Sequence, residues 1–139
     1  MKRRDFVKSS LAASPALLAT MPTSLSSKAP VQAGQFVHCV YFWIREDLTE
    51  EERETFKQGL TMLANLETVR AGYIGTPPPS ERDIVDGSYD YALVLAFDDS
   101  AGHDAYQEHP DHETFRQQTT GFWRDIKIYD LITQDLSQR

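Results

Sequence analysis

Two short segments of this chain are apolar on both of their faces, which restricts the folds open to it more than any other feature. Residues 36–44 read FVHCVYFWI and residues 89–98 read YDYALVLAFD. Their density of aromatic and β-branched residues marks both as strands, because such side chains pack well on a pleated surface. In the first, Phe36, His38, Val40, Phe42 and Ile44 share one side, and Val37, Cys39, Tyr41 and Trp43 share the other. In the second, Tyr89, Tyr91, Leu93, Leu95 and Phe97 oppose Ala92, Val94 and Ala96. A strand whose sheet has one wetted face alternates apolar with polar residues. These strands do not, so both sides of their sheet need a cover.

The segments between them supply one cover. Thr49 followed by Glu52 is a capping box, and Glu50, Glu51 and Glu52 sit at the positive end of the helix dipole. Phe56, Leu60, Leu63 and Leu66 then recur on one helical face. Residues 69–76 read as a second strand, which Pro77-Pro78-Pro79 ends, and residues 77–87 as a polar loop. Asp99 or Ser100 can cap a short helix reaching about Glu108. Pro110 breaks it, residues 112–120 suggest another helical stretch, and residues 122–132 hold the last strand around Ile126, Ile128 and Leu131. The order β-α-β-β-α-β predicts a ferredoxin-like α+β fold with a four-stranded antiparallel sheet. Helices in this order cover one sheet face. A second copy is the simplest cover for the other, which predicts a homodimer whose two sheets pack together as a barrel. The alternative cover, the linker at residues 20–35, is rich in Ser, Pro and Thr and is too polar for that role.

Charge divides the chain. In residues 1–33, Lys2, Arg3, Arg4, Lys8 and Lys28 against Asp5 make +4, which leaves −11 for residues 34–139 in a chain whose net charge is −7. An acidic body without a basic stripe excludes nucleic acid as a partner. The basic start, the apolar residues 11–21 and the small residues beyond them have the form of an export signal. Arg3-Arg4, with Phe6 and Lys8 after them, resembles the twin-arginine type, which implies delivery of a folded protein to the periplasm or another extracytoplasmic space. Residues 1–33 are therefore expected to be signal and linker, and residues 34–139 the domain. No apolar run approaches the ~20 residues of a membrane span, and the single Cys39 excludes an internal disulfide.

Chemistry-bearing residues gather around the Pro110 break. His112 can exchange a proton near neutral pH, and the Tyr106 hydroxyl can donate to a carbonyl or to a developing enolate. A bend at Pro110 could bring the pair to one cavity, walled by Val40, Phe42, Phe56, Leu60, Phe115, Trp123 and Ile126, that suits a small hydrophobic or aromatic ligand. Tyr91 is a further candidate for a hydroxyl there. His38 reads either as a satisfied core histidine or as a residue facing the cavity. His109, before the proline, reads as structural, with contact to the cavity as the alternative. His103 is expected to face solvent, and Cys39 to be a small buried residue. His109, Asp111 and His112 make a weak ligand set, so neither a metal nor any other cofactor is expected.

Several of these residues also resemble a known family. His38-x-Val40-x-Phe42, Leu48-Thr49-Glu50-Glu51, Gly75, Tyr89-Asp90-Tyr91-Ala92-Leu93 and above all Tyr106-Gln107-Glu108-His109-Pro110-Asp111-His112 with Phe115 are similar to the stress-responsive dimeric α/β-barrel, or Dabb, domain. The resemblance covers about residues 36–132. Trp43 departs from it, since the family often has lysine there, and the 77–87 loop is longer than usual. Membership implies the ferredoxin-like dimer. Many members have no assigned activity, and a few are polyketide cyclases whose tyrosine and last histidine form an acid–base pair. That pair maps onto Tyr106 and His112, which makes cyclase-like or isomerase-like proton transfer the expected chemistry. A non-catalytic ligand-binding or structural dimer is the alternative, and a haem- or quinone-handling barrel using His38 or His112 a third.

Overall fold

A computed structural model describes residues 32–135. The expected export signal therefore lies, apart from Gln32 and Ala33, outside the described residues. The elements are β1 (Phe36–Ile44), α1 (Glu50–Ala64), β2 (Ala71–Gly75), β3 (Tyr91–Phe97), α2 (Ser100–Gln107), α3 (Pro110–Thr119) and β4 (Trp123–Ile132). One antiparallel sheet carries them in the order β2-β3-β1-β4. This is the ferredoxin-like arrangement, with the second helix divided in two.

The local causes are those the sequence suggests. Thr49 accepts from the Glu52 amide at 3.1 Å, and the Glu52 carboxylate accepts from the Thr49 amide at 2.8 Å. Two of the otherwise orphaned amides at the start of α1 are satisfied in this way. The break between α2 and α3 is a capping event. His109 is extended (φ −64°, ψ 135°) and its Nδ1 accepts from the Asp111 amide at 3.1 Å, while Pro110 opens α3 where no amide donor is needed. α3 therefore starts earlier than expected, at Pro110. The third strand is shorter than expected at its start because Asp90 is used as a tie. Its carboxylate accepts from the Ile44 amide at 2.7 Å.

Core and register agree. Val40 faces Leu93, His38 faces Leu95 and Phe36 faces Phe97 across β1 and β3. These side chains meet Phe56, Leu60 and Leu63 of α1, all at most 1% exposed, and Tyr106 of α2 and Phe115 of α3. α1 comes close to the sheet edge at Gly72, where a Cβ would lie 2.6 Å from the Ala64 carbonyl oxygen. Gly72→Ala must displace backbone, and a loss of ~1–3 kcal/mol is expected, the range of overpacked sites. Thermal unfolding checks this, with Gly75→Ala, which meets nothing within 4 Å, as the comparison.

Among the described residues, no helix covers the opposite face of the sheet. Val37, Cys39, Tyr41, Ala92, Val94 and Ala96 are half-buried there, and Tyr73 (52% exposed), Tyr129 (63%) and Leu131 (50%) extend the same face across β2 and β4. Cys39 is thus half-exposed, not buried as expected. Trp43 is also on this face, covered locally because its indole donates to Ser88 Oγ at 3.1 Å and Lys127 sits over its ring.

Candidate functional site

Between the helices and the covered face of the sheet lies a cavity of about 180 Å³. β1 contributes His38, Val40 and Phe42, and β4 contributes Trp123, Ile126 and Ile128. Tyr106 and Gln107 come from the end of α2, His112, Phe115 and Arg116 from α3, and Leu63 and Leu93 close the remaining wall. The Pro110 bend folds α3 back so that the rings of Tyr106 and His112 lie 4.7 Å apart between centroids. Seven of the residues expected to bind ligand or carry chemistry besides Tyr106 share this cavity: His38, Val40, Phe42, His112, Phe115, Trp123 and Ile126.

Four expected residues lie elsewhere. Phe56 and Leu60 are fully buried in the core, because α1 runs along the sheet and only its Leu63 turn reaches the cavity. Tyr91 packs its ring on Phe56, 5.6 Å between centroids. His109 is outside the cavity wall, tied by Nε2 to Glu67 at 3.2 Å and acting as the cap of α3, its structural reading. His103 does not face solvent as expected. It is half-buried, stacked on Phe36 at 4.2 Å and 4.8 Å from the His38 ring. Its place three residues before Tyr106, on the same side of α2, was the available signal.

Electrostatics distinguish the titratable groups. Burial pushes the Tyr106 hydroxyl far above the ordinary tyrosine range, so it is a proton donor at all physiological pH. Burial holds His112 below the usual imidazole value; the Arg116 cation acts in the same direction, and the Gln107 backbone carbonyl opposes them. Burial likewise lowers His103, with His38 adding to it. The His112 Nδ1 and Trp123 Nε1 atoms are buried without a hydrogen-bond partner among the described residues, and both residues line the cavity. Buried polar atoms of this kind call for a partner.

The sequence reading missed Asp130. It stands opposite His38 in the β1–β4 register, and its Oδ1 accepts from His38 Nδ1 at 2.6 Å. A carboxylate at that position fixes the imidazole tautomer, with the proton on Nδ1. Ligand atoms of His38, His103 and Asp130 all lie within 4.8 Å of one another, the one such trio of metal-binding side chains among the described residues. The trio weighed from sequence at the Pro110 bend is not brought together this way.

The fold and this cavity define a ferredoxin-like α+β domain with a histidine- and tyrosine-bearing pocket under its helices. The chain belongs to the stress responsive A/B barrel domain family, whose family model matches residues 36–133. Solved structures of the same fold include a dimeric ferredoxin-like protein of unknown function from Thermobifida fusca, 24% identical, covering 73% of this chain and 92% of that one with a TM-score of 0.59. A Dabb family protein from Mesorhizobium loti is 19% identical over 73% of this chain and 99% of its own, with a TM-score of 0.60. A hydroxynitrile lyase from Passiflora edulis is 17% identical over 75% of this chain and 97% of its own, with a TM-score of 0.64. A search of curated proteins finds no match. No helix among the described residues is long and apolar enough to cross a membrane.

Proposed function

We propose that this is an exported homodimer whose two sheets pack face to face, and whose cavity binds a small one-ring or short-chain carbonyl compound and moves a proton on it. The observation that carries the reading is the meeting of His112 and Tyr106 in one largely apolar cavity, beside two buried polar atoms that have no partner among the described residues. The cavity's size supports the ligand class, since ~150 Å³ of apolar space accommodates one benzene ring. His112 Nδ1 takes a proton from the carbon next to the carbonyl, the electron pair moves onto the carbonyl oxygen, and the Tyr106 hydroxyl donates to the enolate so formed. The Trp123 indole is a further donor for a ligand oxygen, and Arg116 at the helix α3 edge favours a substrate with negative charge. Return of the proton at another atom is an isomerisation; attack of the enolate carbon on a second carbonyl of the same molecule is an aldol-type cyclisation. The lyase activity of the structurally similar Passiflora edulis protein supports the choice of small-molecule chemistry.

The dimer is supported by the apolar outer face and by the dimeric state of the Thermobifida fusca protein. Export is supported by the Arg3-Arg4 pair and the basic-then-apolar order of residues 1–21. The two tryptophans give a direct test of the cavity, because Trp123 lines it and Trp43 lies on the far face. Titration with acetophenone is expected to shift the Trp123 indole N–H resonance and to leave that of Trp43 in place, the two being assigned with Trp43→Phe. A Trp43 shift alone, or none, would remove the ligand site from this cavity.

A further inference from the structure

We propose that His38, His103 and Asp130 form a binding site for a divalent transition metal of the zinc class, a site distinct from the His112–Tyr106 pair. Three elements converge to build it. Adjacent strands β1 and β4 present His38 and Asp130 at the same register position. α2 brings His103 in from the helical layer, where stacking on Phe36 (4.2 Å, 14° between planes) limits the swing of its ring. The donor set is chemically selective: two imidazoles and one carboxylate suit zinc and its neighbours and leave calcium and magnesium, which prefer all-oxygen shells, at a disadvantage.

The distances are within reach of side-chain adjustment. Tetrahedral ligands at 2.0–2.1 Å from zinc lie about 3.3 Å from one another. The three donor atoms here lie within 4.8 Å, so the widest gap closes by no more than ~1.5 Å, a movement of rotamer scale. The His38–Asp130 contact opens from 2.6 Å to make room, and any proton shared between the two leaves as the metal enters. With His103 Nδ1 on the metal, Gln107 beside Nε2 at 3.2 Å is the outer partner of the ring, and the Asp104 carboxylate, 3.9 Å from Nδ1, adds charge that favours a bound cation. Three protein ligands leave a coordination position for water or a bound molecule, and His38 borders the cavity.

The untagged full chain, stripped with a chelator, is titrated with Zn²⁺ by calorimetry and with Co²⁺ by visible absorption. One Zn²⁺ per chain and an intense low-symmetry Co²⁺ spectrum are expected. His103→Ala is expected to weaken Zn²⁺ binding at least ~10-fold, the scale on which even outer partners of a metal act. Asp130→Asn, at a half-exposed side chain whose replacement preserves its shape, is expected to do the same and serves if His103→Ala does not fold. His109→Ala removes the histidine on the far side of the bend and is expected to leave binding unchanged. Absence of stoichiometric Zn²⁺ binding, or equal affinity in wild type, His103→Ala and Asp130→Asn, would overturn the site. His112→Ala separates the two proposals, since it is expected to slow proton transfer and to leave Zn²⁺ binding intact.

Discussion

Val94→Asp is expected to turn the protein into a folded monomer. Val94 is at the centre of the outer face, paired with Cys39 on β1 and Tyr73 on β2, and half-buried in the single chain. In one copy an aspartate there stays hydrated, and the loss of strand preference costs ~1 kcal/mol or less. Between two sheets, each copy would bury a carboxylate without a partner, at ~3–5 kcal/mol apiece. Symmetry applies that penalty twice, which weakens the dimer by roughly 10⁴-fold or more at 1.4 kcal/mol per tenfold. Val94→Leu keeps the face apolar and should keep the dimer. Sedimentation of the two variants checks the effect, with far-UV circular dichroism showing that both are folded. A dimer in Val94→Asp would move the interface away from this face.

The second large effect is on chemistry. Replacing His112 by alanine is expected to slow deuterium exchange at the carbon next to the carbonyl of phenylacetaldehyde by ~10²–10⁴-fold, the usual contribution of a positioned base. Tyr106→Phe should cost ~10²–10³-fold, the loss of one oxyanion donor. His109→Ala, which removes only the cap of α3, should leave the exchange rate near wild type while lowering stability by ~1 kcal/mol. The pH profile identifies the base. Burial favours the neutral ring of His112, so its half-protonation point lies below the ordinary imidazole value of about 6.5. The midpoint of the acid limb is therefore expected below the ordinary imidazole value, and the limb is expected to be lost in His112→Ala. Exchange that survives both His112→Ala and Tyr106→Phe would contradict the assignment.

The sequence made the sheet legible and left parts of the site hidden, for physical reasons. β1 was readable residue for residue, because period-two alternation assigns each side chain to a face. The helix break was readable from Pro110, and α1 from Thr49 and its acidic first turn. Depth along a helix was not. Phe56, Leu60 and Leu63 share a face by spacing, yet only Leu63 reaches the cavity. Periodicity fixes the direction a side chain points, not which neighbour it meets. Asp130 carried a readable signal: it continues the inward series Ile126, Ile128, where a carboxylate requires a partner. That the partner is His38 follows from strand register, which single-sequence patterns do not give. The inward placing of His103 is hidden in the sequence because α2 is short and largely polar, and its inward side shows only in the company of Tyr106.

Sedimentation equilibrium of the unmutated protein across the micromolar range tests the central claim most directly, that an apolar sheet face is covered by a second copy. The account predicts a species of twice the 15.8 kDa chain mass throughout that range. A stable single chain at these concentrations would contradict it.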